Sequence, residues 1–465
     1  MKKLIPLILY FYLWMINGDV LFSQTLNYYF GNLHAHTFYS DGNKDYATSG
    51  CNNPTCSYNY AKASLHFDFL GISEHNHASA GLTLTEFHNG YNEAVAANQE
   101  NVFLCLWGME WGVSSSTNGH VIIYGFDDQL IGWESGNFDI YNAKTDYDGL
   151  FKKVKNNPNA FCYLAHPYTT DFNYLALNPY NATYDSAIVG VPFRNGYAFS
   201  TNTSYSDYPN GDYMDYYKRL LSKGYKVGAG YDHDNHYTNF GRSNAGRLVI
   251  LAPSLTISNL FWAMKNMHFY GSDDWNAKID FRINGTEIMG NIATASVTPT
   301  ITVIHNDEDG ETADSIKIWA GYSGTNSDPG VIYTVKNTNL LSFVDSTITI
   351  NFQRYYFVEI IQQDGQRIVT SPIWYTKDPF ASIGVYNLNT PILIFPNPVD
   401  DNLSVSCPIS NYIMIIRDLT GRLVCQKQVN TNLLNIDTGQ YPVGIYFIEI
   451  LKDQQILFRE KFIKQ

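Results

Sequence analysis

Two histidines one residue apart, in the stretch FGNLHAHTFYSDG, begin a series of residues that could hold metal ions. The stretch is typical of a short apolar strand that ends in His34 and His36. Strand side chains alternate between faces, so the two imidazoles project to the same side. Asp41 follows five residues after His36 with a hard oxygen ligand. Together these three side chains could bind one cation.

Histidines and acids recur beside further apparent strands, at Glu74, His75, Glu110, His120, His166 and the segment Asp232–His236. A lone histidine is more often a hydrogen-bonded core or surface residue than a ligand. Repetition at successive strand ends favours the opposite interpretation, a hydrolytic site with several metal ions. His120 differs from the others because it begins a strand instead of ending one.

The composition limits the classes of function. A chain of 465 residues is long enough for two or three domains. The net charge of −13, without a cluster of Lys and Arg, argues against nucleic acid as a partner. The start, MKKLIPLILYFYLWMING, is typical of a secretory signal, predicted as residues 1–23. No other run approaches the ~20 apolar residues of a membrane helix, so we expect an exported protein with no transmembrane segment in the mature chain.

Residues 24–275 alternate predicted strands with predicted helices, which favours parallel strands in a barrel or a doubly wound sheet. The predicted strands are Tyr28–Leu33, Phe67–Ser73, Val102–Met109, His120–Phe126, Phe161–Ala165, Ala187–Val191 and Lys226–Gly230. The predicted helices are Thr85–Gln99, Asp146–Asn156, Asp212–Ser222 and Thr256–Met267. Except for His120, the candidate ligands fall at or just after the carboxyl ends of these strands, where α/β barrels place their chemistry.

After about residue 276 the pattern changes to period-2 stretches separated by Gly, Asp and Asn turns, which predicts a β-sandwich over 276–378. A third unit is predicted over 388–465. It resembles the type A sorting domain of the type IX secretion system in its Phe395–Pro398 opening, its Asp418–Arg422 turn and its Gly444–Tyr446 strand. The resemblance implies that the type IX secretion machinery is a partner and that the protein is secreted or displayed on the cell surface after Sec-dependent export.

Four motifs of the first unit, read in order, resemble those of the PHP (polymerase and histidinol phosphatase) superfamily of metallo-phosphoesterases. They are His34, His36 and Asp41; Ile72–Asn76; Ala165–Pro167; and the Asp-x-His within Gly230–His236, with Glu110 and His120 between the second and third. Glu74 stands where the family usually has Asp. The resemblance implies an α/β fold, a distorted (β/α)7-type PHP barrel, here followed by two small all-β sandwich domains.

The resemblance implies nine metal ligands, namely His34, His36, Asp41, His75, Glu110, His120, His166, Asp234 and His236. This number suits two or three divalent ions, and imidazole with carboxylate suits Zn, Mn or Fe. Glu110 would bridge two ions, and Glu110, Asp41 and His236 are the expected catalytic residues. Glu74 is expected either to orient a ligand histidine or to lie at the surface.

The fourth motif has two possible registers. Asp234 can lead with His236 as its partner, which keeps an imidazole ligand and is the register we favour. Alternatively, Asp232 is the ligand and Asp234 takes the histidine position. Three arginines, Arg194, Arg242 and Arg247, could each bind a substrate anion or form a structural salt bridge.

We therefore expect a secreted metal-dependent hydrolase that activates water, acting on small-molecule or cell-surface esters, with phosphoesters first. The secreted, CehA-like branch of the family includes carbamate hydrolases, so carboxylic esters and carbamates are the alternative substrates. An exported binding protein with a vestigial metal site is the alternative from a different class.

The cysteines give a further prediction, because export makes disulfides possible. Cys51 and Cys56 bracket a loop and are the favoured pair, with a zinc knuckle as the alternative. Cys105 and Cys162 lie in apolar strands and are expected to be small core residues, paired or unpaired.

Overall fold

The computed structural model describes residues 26–114, 117–379, 381, 392–452 and 455–465. The predicted signal peptide, residues 1–23, and the predicted start of the third unit at residue 388 lie outside the described residues. Within those ranges, no helix is long and apolar enough to cross a membrane.

The first unit has eleven strands in the described chain, and the candidate ligands lie within two of them or in the segments beside them. The strands are β1 (Asn27–Asn32), β2 (Phe69–His75), β3 (Leu104–Trp111), β4 (Val121–Tyr124), β5 (Ile131–Gly132), β6 (Ile140–Tyr141), β7 (Phe161–Leu164), β8 (Ile188–Asn195), β9 (Gly228–Asp232), β10 (Arg247–Ala252) and β11 (Phe269–Ser272). The predicted strands are confirmed with shifts of a few residues, while β10 and β11 were not predicted.

Eight α-helices connect these strands. They are α1 (Tyr46–Ser49), α2 (Pro54–Ala61), α3 (Leu84–Ala97), α4 (Tyr147–Asn156), α5 (Asp171–Tyr174), α6 (Ala182–Asp185), α7 (Met214–Lys223) and α8 (Ile257–Lys265), all within the described residues. The four predicted helices correspond to α3, α4, α7 and α8. At the start of α3, Thr83 and Glu86 form a reciprocal capping box, which stabilises the first turn of the helix.

The strands that carry the candidate ligands are neighbours in one sheet, in the order β10-β1-β2-β3-β4-β7-β8-β9. β1, β2 and β3 run parallel to one another, as do β7, β8 and β9. β4 is antiparallel to both β3 and β7, and β10 is antiparallel to β1. The sheet is therefore mixed.

The predicted fold class, an α/β PHP-type barrel, is wrong. Of the described residues, 39% lie in strands and 16% in helices, and the largest sheet is mixed and has 15 strands. The prediction failed because it assumed a helical crossover after every strand, which parallel strands require. The antiparallel strands β4, β10 and β11 do not require such a crossover.

The second unit continues the same sheet. Its strands are β12 (Lys278–Ile283), β13 (Glu287–Ile288), β14 (Ile292–Ala295), β15 (Thr300–Asn306), β16 (Ala313–Tyr322), β17 (Gly330–Lys336), β18 (Leu340–Val344), β19 (Gln353–Gln362), β20 (Arg367–Thr370) and β21 (Ile373–Lys377). β20 pairs with β11 of the first unit. A four-stranded sheet, β13-β12-β15-β18, lies apart from the large one. The second unit therefore shares a sheet with the first.

Alternate residues of β10 show how the two units share this sheet. Leu248 and Ile250 belong to the first hydrophobic core, whereas Val249 and Leu251 belong to a second core with residues such as Ile279 of β12. Because strand side chains alternate, one strand contributes to both cores. The first two units therefore do not have separable cores at residue 275.

The third unit is made of β22 (Leu393–Phe395), β23 (Asn402–Ser406), β24 (Tyr412–Asp418), β25 (Leu423–Val429), β26 (Leu433–Asp437), β27 (Gly444–Lys452) and β28 (Gln455–Lys464). These form two antiparallel sheets, β22-β23-β26 and β25-β24-β27-β28. A third core, which includes Leu403, Ile416 and Ile448, draws residues from both sheets.

Candidate metal centre

Glu110 is the central side chain of the cluster. It lies near the end of β3, where its backbone pairs with His75 of β2, and it is fully buried. Its two oxygens face different histidines. Oε2 lies 3.2 Å from His34 Nε2, 3.0 Å from His36 Nε2 and 3.3 Å from His75 Nδ1. Oε1 lies 2.8 Å from His120 Nδ1 and 3.1 Å from His166 Nε2.

Two further carboxylates complete the cluster. Asp234 Oδ1 lies 3.2 Å from Nε2 of both His34 and His36. Asp41 Oδ1 lies 3.3 Å from His236 Nε2 and 3.8 Å from His75 Nε2. The structure thus brings all nine predicted ligands together.

Eight of these side chains fall into three overlapping groups whose ligand atoms lie within 4.8 Å of one another. The groups are His36, Asp41, His75 and His236; His34, His36, Glu110 and Asp234; and His75, Glu110 and His120. Each pair of groups shares one residue, and Glu110 also faces His166. This arrangement could hold up to three cations.

The donor atoms fit divalent cations. Several buried cluster atoms lie 2.8–3.3 Å from an oppositely charged group without forming a hydrogen bond of regular geometry, namely His34 Nε2, Asp41 Oδ1, His75 Nδ1, Glu110 Oε2 and His120 Nδ1. Buried polar atoms are costly without a partner, and these atoms converge. Imidazole nitrogens mixed with carboxylate oxygens are the donor set of Zn, Mn and Fe sites.

Hydrogen bonds behind the cluster orient its histidines. His236 Nδ1 lies 2.9 Å from the Asp234 carbonyl oxygen, which can only accept, so Nδ1 is the donor in this contact and Nε2 is the atom that faces Asp41. Asp232 Oδ2 lies 3.3 Å from His34 Nδ1, on the side of the ring away from Glu110. This geometry fits the register in which Asp234 and His236 are ligands and Asp232 supports His34.

Backbone strain marks two cluster residues. Asp234 and His166 have φ values of 56° and 23°, in the left-handed region that disfavours a side chain. Such residues cost roughly 1–3 kcal/mol each and concentrate at functional sites. The surrounding packing therefore holds these two side chains in place against a local cost.

The charges of the cluster compensate one another. Burial lowers the pKa of His36, but Asp234 and Glu110 more than offset this effect and raise it to about 10. Burial alone would raise the pKa of Glu110, yet His120, His34 and His75 hold it well below its usual range. The carboxylates also raise the pKa of His34 and His166, so without a cation protons on His34, His36 and His166 would balance the buried carboxylates.

Glu74 has a role that neither of its predicted alternatives described. It is buried, and its oxygens accept hydrogen bonds from the Thr37 backbone N–H and from the hydroxyls of Thr37 and Ser40. Burial raises its pKa to about 7 despite these bonds and the nearby His36. Glu74 thus holds the turn that carries Asp41. Thr37 and Ser40 were missed, although two hydroxyls beside the His-x-His motif were a usable indication.

Gly42 is required by the same turn. A Cβ added at Gly42 would lie 2.2 Å from the backbone carbon and oxygen of His36. The Gly42 N–H donates to the Thr37 carbonyl oxygen at 2.9 Å, which closes the turn. Asp41 therefore reaches the cluster only because the next residue has no side chain.

Two of the three arginines that were predicted to bind substrate, Arg242 and Arg247, form contacts within the protein instead. Arg247 is fully buried, and its Nε, Nη1 and Nη2 donate to five backbone carbonyls. Arg242 donates to the Ser64 hydroxyl and the Tyr60 carbonyl and lies over the Tyr60 ring. Arg194 pairs with Asp273 and lines a cavity of about 480 Å³. None of these contacts is with a cluster residue.

The predicted disulfide between Cys51 and Cys56 is present. Two hydrogen bonds connect the residue after this disulfide to the segments that carry Asp41 and His236. The Ser57 hydroxyl donates to Asn43 Oδ1, and Asn43 Nδ2 donates to the Thr238 hydroxyl. Cys105 and Cys162 are buried and unpaired, which confirms their prediction as core residues.

The cluster is open to solvent on one side. The side chain of Asp41 is 33% exposed and that of His166 is 21% exposed, whereas His34 and His36 are fully buried. Lys44 Nζ lies 3.5 Å from Asp41 Oδ2, and the half-exposed Phe199 ring lies 4.6 Å from the His236 ring. The Lys44 ammonium group and the Phe199 ring therefore flank the solvent-accessible edge of the cluster.

Comparisons with known proteins identify the third unit. Residues 393–465 match the family model described as a secretion system C-terminal sorting domain. The chain therefore ends in a type IX secretion sorting domain, which confirms the type IX machinery as a partner and implies export with outer-membrane or cell-surface attachment. The signal peptide stays a prediction.

The other comparisons give no argument about function. No curated protein matches the chain. Among solved structures, superoxide reductase (neelaredoxin) from Ignicoccus hospitalis is 10% identical, with 21% of this chain and 80% of that chain covered and a TM-score of 0.16. PorZ, a surface component of the type IX secretion system of Porphyromonas gingivalis, is 11% identical, with 47% and 35% covered and a TM-score of 0.16.

Proposed function

We propose that this exported protein is a metal-dependent hydrolase that acts on phosphoesters. The observation that supports the proposal most strongly is the position of Glu110. It is fully buried, with one oxygen directed at His34, His36 and His75 and the other at His120 and His166. A structural site needs about four ligands in a closed shell. Nine converging side chains with a solvent-facing edge suit catalysis instead.

Each part of the cluster has a distinct task in this proposal. His34, His36, His75, His120 and His166 would hold the cations together with Glu110 and Asp234. Divalent cations, when bound, lower the pKa of water and offset charge on the displaced oxygen. Asp41 Oδ1 and His236 Nε2, 3.3 Å apart at the exposed edge, are placed to take up and return the proton released from water.

The motifs and the charge at the edge support phosphoesters as substrates. The order of the four motifs resembles the PHP superfamily, although the barrel that this resemblance implied is not part of the proposal. Lys44, beside Asp41, supplies a positive charge where a substrate phosphate would approach. A cluster of cations would add to this attraction.

Carboxylic esters or carbamates are the second candidate substrates. They are favoured by the commitment of Arg242 and Arg247 to protein contacts, which leaves no bidentate clamp for a phosphate from these residues. The half-exposed ring of Phe199 beside His236 would accept an aryl or alkyl group.

A panel with one leaving group tests the proposal. The full chain, loaded separately with Zn and Mn, is assayed on p-nitrophenyl phosphate, bis-p-nitrophenyl phosphate, p-nitrophenyl acetate and a p-nitrophenyl carbamate. Because the leaving group is constant, the rates compare only the group that is transferred to water. We expect chelator-sensitive turnover that is greatest for a phosphoester.

The other possible results of this assay would change or contradict the proposed function. Turnover of only the acetate or the carbamate would replace phosphoesters with the second candidate. Metal bound at two or more ions per chain without turnover of any substrate would contradict the proposed phosphoesterase. Absence of bound transition metal would favour the non-catalytic binding protein.

A further inference from the structure

A second cluster of acids lies away from the histidines, at the junction of the first two units. Asp274 follows β11, the last strand of the first unit, while Asp307 and Glu311 belong to the loop between β15 and β16. Their carboxylate oxygens lie within 4.8 Å of one another. Asp274 is only 4% exposed. Three like charges so close together and partly buried are unfavourable unless a proton or a cation lies between them, and burial together with Asp307 raises the pKa of Asp274 to about 7.

Backbone amides fix the direction of two of these carboxylates. Asp274 Oδ1 accepts from the Asn276 N–H at 2.8 Å. Asp307 Oδ1 accepts from the N–H groups of Asp309 at 2.8 Å and Glu311 at 3.1 Å. The outer oxygens are therefore occupied, and the inner oxygens, Asp274 Oδ2 and Asp307 Oδ2, remain directed at a common point.

A buried amide provides an independent observation at that point. Gln362, at the end of β19, is 1% exposed, and its Oε1 has no hydrogen-bond partner among the described residues. Its Nε2 lies 2.9 Å from Asp274 Oδ2, 3.3 Å from Asp307 Oδ2 and 3.1 Å from Glu311 Oε2, and 3.5 Å from Nε2 of the buried His305. An amide group has two hydrogens and cannot satisfy three carboxylates, while its own oxygen is left unpaired.

A bound cation would resolve both problems. Turning the Gln362 amide by 180° directs Oε1, the unpaired atom, at the three carboxylates and gives a fourth oxygen ligand. Lys278, on the adjoining strand β12, does not neutralise the cluster because it pairs with Glu308. A cavity of about 220 Å³, lined by Asp274, Glu311 and Trp275 among others, gives water and ions access.

We propose that Asp274, Asp307, Glu311 and the Gln362 amide form a calcium site. All four donors are oxygens, which select a hard cation, and three carboxylates with added water satisfy the six to eight ligands that calcium takes. The ion would join the end of β11 in the first unit to the β15–β16 loop and β19 in the second. The site is separate from the histidine cluster and does not depend on the proposed hydrolysis.

Thermal unfolding of the full chain tests the site. The protein is prepared with its histidine cluster loaded with zinc, in buffer freed of calcium, and CaCl₂ is then added to 2 mM. We expect the Tm to rise by about 5 °C, the effect of ligand at roughly 100 times its dissociation constant. Absence of any shift, together with no calcium binding by calorimetry, overturns the proposal.

Substitutions test which residues cause the calcium-induced rise in Tm. Asp307→Asn and Glu311→Gln should each abolish the calcium-induced shift while leaving the calcium-free Tm equal or higher, because a repelling charge is removed. Glu308→Gln, a neighbour in the same loop that lies outside the cluster, should keep the shift. His36→Ala should also keep it. A shift that survives in both Asp307→Asn and Glu311→Gln, or that is lost in His36→Ala, overturns the assignment.

Terbium luminescence gives a measurement that does not depend on stability. Trp275 lines the cavity beside Asp274, so its excitation should sensitise Tb³⁺ bound at the site. We expect emission that calcium displaces and that Trp275→Phe reduces at least fivefold. Emission unchanged in both Trp275→Phe and Asp307→Asn would place the ion elsewhere and contradict the proposal.

Discussion

Oε2 of Glu110 and Nε2 of His36 lie 3.0 Å apart, and both side chains are fully buried. Glu110 lies in β3, whereas His36 lies in the segment that follows β1. In the sheet, β2 lies between these two strands. Such a pair has to share a positive charge, which is either a proton or a metal ion. Which of the two is present decides the protonation state of the whole cluster.

Metal binding should therefore release protons. The carboxylates of Asp234 and Glu110 raise the pKa of His36 to about 10, so this histidine is protonated in metal-free protein at pH 7.5. A cation has to displace that proton in order to bind the imidazole nitrogen. Calorimetric titration of zinc in two buffers of different ionisation enthalpy should show at least one proton released per chain. Identical heats in the two buffers would contradict this expectation.

Gly42→Ala should impair activity more than stability. The added Cβ would collide with the His36 backbone, so the turn that carries Asp41 has to move. A shift of about 1 Å in a catalytic group typically costs on the order of 10²-fold in rate. Gly330→Ala is the matched control, because a Cβ there meets no atom within 4 Å. Equal rates for the two variants would show that the turn does not position Asp41.

The helices and strands of the first unit could be predicted because the pattern that specifies each of them lies within its own residues. Apolar runs predicted the strands, and amphipathic pieces such as Thr85–Gln99, which corresponds to α3, predicted the helices. Strand direction depends instead on pairing partners far away in the chain. β4 and β10 are antiparallel to their neighbours, and no residue within either strand indicates this. The predicted barrel failed for that reason.

The convergence of the nine side chains could be predicted because the order of the motifs resembles that of a metallo-phosphoesterase family; their role as metal ligands stays a prediction. The roles of Glu74, Arg242 and Arg247 could not be predicted, since each depends on burial and on carbonyls or hydroxyls supplied by distant segments. Asp232 and Asp234 differ only in which side of His34 they face. The sequence favours Asp234 as the ligand, and these distances fit that register.

Stability should fall on acidification partly through His268. Burial lowers its pKa, while a hydrogen bond with the Met289 carbonyl opposes the shift. Because the folded pKa lies below the unfolded value of about 6.5, the stabilisation is complete above that pH and is lost as the pH falls through it. His268→Gln should show a smaller fall in Tm between pH 7.5 and 5.5 than the wild type. A fall in the Tm of His268→Gln as large as that of the wild type would contradict this assignment.

Export should depend on the sorting domain. Deletion of residues 393–465 should leave the protein in the periplasm, because these residues carry the match to the sorting family. In the exported wild type we expect loss of residues 1–23 and of the region after about residue 388. Mass spectrometry of the exported material checks both ends. An intact Gln465 as the main species would contradict removal of the tail.

The most direct test of the metal-dependent hydrolase is the turnover and metal content of Glu110→Gln. The substitution keeps the shape of the side chain but removes the charge shared by His34, His36, His75, His120 and His166. We expect an unchanged circular dichroism spectrum, loss of at least one metal ion per chain, and a rate at least ~10²-fold lower, equivalent to about 3 kcal/mol. His36→Ala should behave similarly, while His88→Ala should keep wild-type turnover. If Glu110→Gln hydrolyses the best substrate within twofold of the wild-type rate, the cluster is not the catalytic site.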